Sequence, residues 1–485
     1  MPRQLEKEFV GRTYDDFLFR PQAGQVASRR EVSLRSRLSR RLEAELPVVS
    51  ANMDSVTGTD MAKTMALEGG LGFVHRAMTI AAQAESVARV KRSHGHVVEQ
   101  PLCLPRDVTI GQAKEFIRKH NITGILIEQQ RGGGILAGLL SNRDIPWFGD
   151  FDRHRVDEFM TPWERLTVAA PGVAVEEAER AMYEHRIEKL PLVDRARRIQ
   201  GLITKKDIIL TRQRPTSSKD AKGRLRVGAA IGARGDYLER AAELIQAGAD
   251  VLLIDIAHGH SEVMRQAVEA FRKRFGDLEL IAGNVGGAEG ALFLRQLGVD
   301  GIKVGIGPGR GCRTRLETAA GVPQLQALRE AWCAVEESVP IVADGGVRHD
   351  KDIFLALICG ASSVMLGSLL SGTDEAPGRV IEDPGTREKR KIYRGMTSPQ
   401  AVFQALYDDD ALGSALDVPA EGQEIQMPYK GSVVDILSRI RGHLRSAVSY
   451  GGAGSLAELR ARVLPDPMRF LIPLSEAARR ESYER

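Results

Sequence analysis

The chain has 485 residues, 43% of them hydrophobic and 27% charged, with Lys and Arg at 68 against Asp and Glu at 64. That length predicts two to four domains, or one large barrel with a smaller unit. The net charge of +4 is too small and too evenly spread for a protein of nucleic acids or membrane surfaces. The N-terminus MPRQLEKEFVGRTYDD has no apolar core of a signal peptide, and no run of about 18 apolar residues occurs, so a cytoplasmic location is expected. The four cysteines, Cys103, Cys312, Cys333 and Cys359, are far apart and form no CxxC pair. This argues against a disulfide framework and a zinc site. In a reducing compartment a lone cysteine can be a working thiolate.

Short, β-rich apolar runs bounded by Gly, Asp or Asn recur in chain order. They are PVVSANM (47–53), LGFVHR (71–76), RVGAAIG (226–232), VLLIDIA (251–257), ELIAGNV (279–285), GIKVGIG (301–307), PIVADGG (340–346) and SVMLGSL (363–369). Strands buried on both faces read this way. Helical patterns such as DYLERAAELIQAGA (236–249) and AEGALFLRQLGV (288–299) lie between them, with apolar residues at i, i+3 and i+4. Eight such units predict an α/β fold, a (β/α)8 TIM barrel. GNVGG, GIGPGRG, DGG and GS then fall at the C-terminal strand ends, the rim that carries a barrel's active site. Glycine there lets backbone approach a ligand and present N–H groups to phosphate.

The gap between the second and third runs is far too long for one connection. Within it GLLSNRD (138–144) and GLITKKD (201–207) repeat. Each ends a helix–strand–strand pattern, TIGQAKEFIRKHNITGILIEQ and AVEEAERAMYEHRIEKLPLVD, joined by MTPWERL (160–166). One such unit needs its partner to bury its face. The expected organisation is barrel over 1–100, repeat one over 101–158, repeat two over 159–215 and barrel again over 216–485, re-entered through the polar RPTSSKDAKGRLR (214–226).

The repeats resemble a pair of CBS motifs, a Bateman module. The barrel resembles the IMP dehydrogenase/GMP reductase family through TYDDFLFRP (13–21), GRLRVGAA, DVLLIDIAHGHS, AGNV, GIKVGIGPGRGCRTR, ADGGVR, ASSVMLGS, YRGM, the EG of EGQEIQMPYKG, and GHLRSAVSYGGAGSLAEL (442–459). From the residues alone Cys312 is either a nucleophile in a Gly-rich loop whose amides favour the thiolate, or a buried structural thiol. The resemblance implies the former, attacking C2 of a purine nucleotide, with Thr314 and Glu421 beside it. It implies Asp344, Gly346, Gly367, Ser368, Tyr393, Gly395 and Met396 around the nucleotide, with Asp344 on the ribose and the amides of Gly346, Gly367 and Ser368 on the phosphate. It implies Asp255, Asn284, Gly305 and Gly307 for the nicotinamide cofactor. Asp255 could instead cap the following helix. No GxGxxG follows a first strand, so this is no Rossmann site. Carbonyls of Gly307, Gly309 and Cys312 would hold a monovalent cation, usually potassium. Thr204 and Asp207 in T-x-x-D form would contact a regulatory ATP or GTP, with Ser141 and Asp144 a weaker counterpart, or the repeats are purely structural. A homotetramer or octamer is implied.

Two family reactions share the cysteine adduct. A dehydrogenase oxidises IMP with NAD and hydrolyses the adduct through an Arg-Tyr pair on a flap. A reductase expels ammonia from GMP and takes hydride from NADPH. Here the flap segment 397–420 has no Arg, and its one Tyr, Tyr407, precedes Asp408, Asp409 and Asp410. SANMDSV (50–56) and the Ile256–Ala257 pair also resemble reductases, whereas the CBS pair and GRLRVGAA are commoner in dehydrogenases. GMP reductase with NADPH is the expected function. IMP dehydrogenase with another base, such as one of the three Asp, is the alternative, and a non-catalytic nucleotide sensor the third reading. Arg310, Arg313 and Arg315 form an expected positive cluster beside Cys312, which would favour the thiolate and a phosphate. His258 and His260 are expected to be loop packing, and His443 a helix-surface residue.

Overall fold

The computed structural model describes residues 3–93, 97–98, 101–120, 122–146, 148–396 and 421–483. The chain divides into two compact units, Met1–Ser93 with Thr216–Asp220 and Leu225–Arg485, and His94–Pro215 with Ala221–Arg224.

The first unit is a closed barrel of eight parallel strands, which alone we number: β1 Val48–Ser50, β2 Leu71–Val74, β3 Gly228–Ile231, β4 Val251–Asp255, β5 Leu280–Val285, β6 Gly301–Val304, β7 Ile341–Asp344 and β8 Ser363–Leu366. Each pairs with its sequence neighbours, and β8 closes on β1 through Val364↔Val48 and Met365↔Val49. All eight expected runs are strands of this barrel. Their near-continuous apolar character follows from alternation with both faces buried. Val49, Leu71, Phe73, Val251, Leu253, Ile281, Val342 and Met365 form an inner core together with Leu38, Leu42 and Ala44. Val48, Ala229, Leu252, Ile254, Ile302, Ala343 and Val364 belong to the outer core shared with the helices. The interior is filled unevenly: a side chain at Gly228 would stand 2.5 Å from the Phe73 ring, so glycine makes room for the one aromatic in that layer.

Helices Tyr237–Gln246 and Ala288–Gln296 lie within the two helical patterns quoted above. Helix Val433–Tyr450 is capped by Ser432, whose hydroxyl accepts the Val434 amide at 3.2 Å. It buries Ile436, Leu437, Ile440, Leu444 and Val448, the i, i+3, i+4 stripe of a helix facing a core. Among the described residues no helix is long and apolar enough to cross a membrane.

The second unit contains two helix–strand–strand runs: Ile110–His120, Gly124–Glu128 and Leu136–Ser141, then Val175–Glu184, Lys189–Val193 and Ile199–Thr204. Both strand pairs are antiparallel. The runs are stitched by Leu136 N–H to Arg197 O at 2.9 Å and Ile199 N–H to Gly134 O at 2.8 Å. Leu126 and Leu136 of one share a buried cluster with Val193 and Leu202 of the other, so neither buries its apolar face alone.

Candidate active site

Strands β5, β6, β7 and β8 end at Val285, Val304, Asp344 and Leu366, and the Gly-rich segments all begin at or next to these ends. The longest, 305–312, runs from β6 to Cys312. There the Cys312 amide donates to Gly309 O at 3.0 Å, closing a turn. A short helix Thr314–Thr318 follows. Cys312 is half-buried, and its Sγ lies 3.1 Å from Thr314 Oγ1. The Thr314 hydroxyl donates to Glu421 Oε2 at 2.6 Å. Glu421 is brought in by its main chain: the Arg313 amide donates to Glu421 O at 2.7 Å, and the Gln423 amide to Gly311 O at 3.0 Å. Cys312 and Gly422 thus form an antiparallel bridge. The same Gln423 carbonyl accepts the Gly395 amide at 3.0 Å, which ties in the strand carrying Tyr393. Thiol, hydroxyl and carboxylate stand in one hydrogen-bonded line.

The other three thiols stand in different surroundings. Burial pushes Cys359 up to about 12 and, aided by Glu128, Cys103 up to about 11. Burial also raises Cys333. Substoichiometric iodoacetamide should therefore label Cys312 first, as read by peptide mass spectrometry; preferential labelling of Cys359 would contradict this placement.

A second cluster lies at the barrel mouth. Lys303, the one charged residue of β6, points inward, almost fully buried. Its Nζ lies 2.5 Å from Asp344 Oδ2 and 2.9 Å from Asp255 Oδ1. Burial alone would push this ammonium down, but the two carboxylates override it and hold it well above the ordinary lysine range. Asn52 Nδ2 donates to Asp255 Oδ2 at 2.7 Å, and Asn284 Nδ2 to Asp344 Oδ2 at 2.9 Å. So Asp255 caps no helix: the following one is capped by Ser261, which accepts from Met264. Asn284 Oδ1 is buried without a partner, and Asp344 Oδ1 has none among the described residues. Lys303→Met should cost about 3–5 kcal/mol, since it strands two partly buried carboxylates; urea unfolding checks it, and a loss below about 1 kcal/mol would show the pair to be solvated.

Gly346, Gly367 and Ser368 follow β7 and β8, and their amides donate to no carbonyl among the described residues. Tyr393 is buried beside them; burial, with Asp344 nearby, keeps its phenol protonated. Gly395 and Met396 follow on the same strand end. Lys430 Nζ donates to Ser368 O at 2.7 Å and Leu369 O at 3.1 Å.

The expected arginine cluster is assembled only in part, with Arg315 within electrostatic reach of Cys312. Arg313 precedes the short helix and pairs with Glu317 at 2.6 Å, an i,i+4 contact. The Arg315 guanidinium bonds the carbonyls of Ile306 and Val322, where it braces the loop. Of the three, only the Arg310 guanidinium has neither a hydrogen-bond nor an ion-pair partner among the described residues. His260 packs on Phe293 at 4.9 Å, and His443 bonds Asp350 at 2.6 Å. In the second unit the Ser141 amide and hydroxyl both donate to Asp144. Thr204 ends a strand, and the Asp207 side chain lies outside the described residues, as does the whole of 397–420 with Tyr407, Asp408, Asp409 and Asp410.

Over residues 11–484 the chain matches the IMP dehydrogenase / GMP reductase domain. The chain belongs to this family. Its members named here divide between the two activities. An inosine-5'-monophosphate dehydrogenase of Nitrosopumilus maritimus is 43% identical over 458 residues, 93% of this chain and 94% of that protein. One of Aquifex aeolicus is 42% identical over 465 residues, 95% and 93% of the two chains. Among solved structures, a cysteine-to-alanine GMP reductase of Trypanosoma brucei with guanosine 5'-monophosphate superposes with TM-score 0.89 at 36% identity, over 98% of this chain and 97% of that one. The same enzyme with guanosine 5'-triphosphate gives TM-score 0.78 at 33% identity, over 96% and 98% of the two chains. As an IMP dehydrogenase / GMP reductase family member the chain is an oxidoreductase. Of the residues central to the geometry, sequence reasoning missed Lys303, Asn52, Gln423 and Lys430. Lys303 alone carried a signal, a charge inside an apolar strand.

Proposed function

We propose that the chain is a GMP reductase, taking GMP and NADPH to IMP, ammonia and NADP. The observation that carries this reading is the line Cys312–Thr314–Glu421 in a chain whose 397–420 segment holds no arginine. A relay that ends on a carboxylate can hand a proton to a leaving amine. A hydrolytic half-reaction needs a base for water, and the family's Arg-Tyr pair is missing. The Cys312 thiolate attacks C2 of the guanine. The C2–N bond breaks, and the amine leaves as ammonia with a proton routed from Glu421 through the Thr314 hydroxyl. The nicotinamide, when bound, supplies hydride to C2. The C–S bond then breaks, IMP departs and the thiolate returns. One hydride and two protons are consumed per ammonium released.

Asp344 Oδ1, free beside the Lys303 ion pair, suits a ribose hydroxyl. The amides of Gly346, Gly367 and Ser368 suit the phosphate, with Tyr393, Gly395 and Met396 alongside. The orphaned Asn284 Oδ1 fits a donor from the cofactor, with Asp255, Gly305 and Gly307 near it. The carbonyls of Gly307, Gly309 and Cys312 are neutral oxygens, the donor set for a monovalent cation such as potassium. The second unit is read as a CBS pair binding ATP or GTP through Thr204 and Asp207, in a homotetramer or octamer. ATP or GTP should raise the melting temperature of the full chain, and Asp207→Ala should remove that rise.

The identity of 42–43% to dehydrogenases favours a second reading, IMP dehydrogenase with another base. The two part on stoichiometry: purified enzyme with GMP and NADPH should release one ammonia and one IMP per NADPH oxidised. XMP formation from IMP and NAD, with no ammonia from GMP, would overturn the reductase reading.

A further inference from the structure

We infer that Gln423 is a positioning residue: its side chain sets the register between the Cys312 loop and the segment that carries Glu421, and so assembles the proton path. The inference rests on the reading of Cys312, Thr314 and Glu421 given above and deepens it. A half-buried glutamine on a rim is ordinarily a solvated one. Gln423 is set apart by what it bonds and by how little else holds the same place.

Three stretches of main chain meet here with no side chain between them, at Gly311, Gly395 and Gly422. A side-chain carbon at Gly311 would stand 3.1 Å from the Gly395 nitrogen. One at Gly395 would stand 3.2 Å from Gly422 Cα and closer still to Gly311 O. Backbone bonds tie the three together: the bridge of Cys312 with Gly422, the Gln423 amide on Gly311 O and the Gly395 amide on Gln423 O, both at 3.0 Å. A strand pairing rich in glycine has no side chains to lock it and is weakly specified in register.

The Gln423 side chain supplies that lock. Its Nε2 donates to Arg310 O at 2.9 Å, while its own amide takes the next carbonyl, Gly311 O. Two donors of one residue thus grip two consecutive carbonyls, just ahead of Cys312. A slip of one residue would turn the side chains to the opposite face. It would undo the Arg313 amide on Glu421 O at 2.7 Å and carry the Glu421 carboxylate away from the Thr314 hydroxyl, now 2.6 Å from it. The third stretch is anchored from its other side. The Arg394 amide donates to Ser55 Oγ at 3.1 Å, and Arg394 Nε to Asp54 Oδ2 at 2.7 Å. Gln423 therefore sets the Cys312 loop against a fixed edge.

The test uses the full chain with steady-state rates for GMP and NADPH, calorimetric GMP titration and thermal melting. Gln423→Met and Gln423→Glu keep the length of the side chain and lose its donor. Each should lower kcat about fivefold or more, the worth of one hydrogen bond, with GMP affinity within about twofold of wild type. Gln423→His restores a neutral donor and should regain most of the rate. In a Glu421→Gln background, Gln423→Met should cost less than about twofold, because the residue acts through Glu421. The same fivefold loss repeated in that background would overturn the inference, as would a kcat within about twofold of wild type in both donorless variants. A melting temperature lowered by more than about 5 °C together with loss of GMP binding would make the residue structural and overturn it too. Should Glu421→Gln itself leave turnover intact, the relay reading falls together with this one. Slow Glu421→Gln beside unimpaired Gln423→Met sinks this one alone.

Discussion

Cys312→Ala should lose turnover by a factor of about 10³ or more while still binding GMP within a few-fold of wild type. On the proposed reading the Cys312 sulfur is the group that bonds to the purine, and it is the one thiol in the site among the described residues. Its removal leaves the Gly309 turn intact, because that turn is made by the Cys312 amide rather than by the side chain. Stopped-flow and steady-state rates with equilibrium titration separate the two effects. A variant that keeps more than about a tenth of the wild-type rate would mean that the chemistry runs elsewhere. Loss of GMP binding together with rate would mean that the thiol is structural.

Glu421→Gln should lower kcat about 10²-fold with little change in KM. Glutamine can still accept the Thr314 hydroxyl but cannot carry a proton. Its main-chain bond to Arg313 keeps the segment in place, so the loss is chemical rather than architectural. Thr314→Val should fall by a similar factor, and the double variant should fall little further, since the two act on one proton path. Full additivity of the two losses would break the line into independent parts.

The barrel was legible because its strands are buried on both faces, which forces continuous apolar runs that β-rich residues and terminal glycines punctuate. Cys312 stood out as the proposed nucleophile because one cysteine of four sits among glycines. Long-range partnering was not. Thr314 and Glu421 are 107 residues apart in the chain, and nothing local says that Gln423 carries the second of them to the first. Lys303 stood out as a charge in β6, yet its two carboxylates come from β4 and β7, so only the closed barrel reveals an ion cluster. The arginines show the opposite failure. Read as a row they promised a concentrated positive field, but Arg313 had an acceptor four residues on in Glu317, and the carbonyls of the loop itself captured Arg315. Local pairing offset the charge of Arg313 alone, while Arg315 among neutral carbonyls and Arg310 keep theirs.

The reductase claim is tested most directly by following nicotinamide absorbance over many turnovers with each of the two substrate pairs on the same purified preparation. The account predicts steady loss of NADPH with GMP, and no sustained NADH formation with IMP and NAD. Continuous NADH formation from IMP and NAD, with NADPH untouched by GMP, would contradict it.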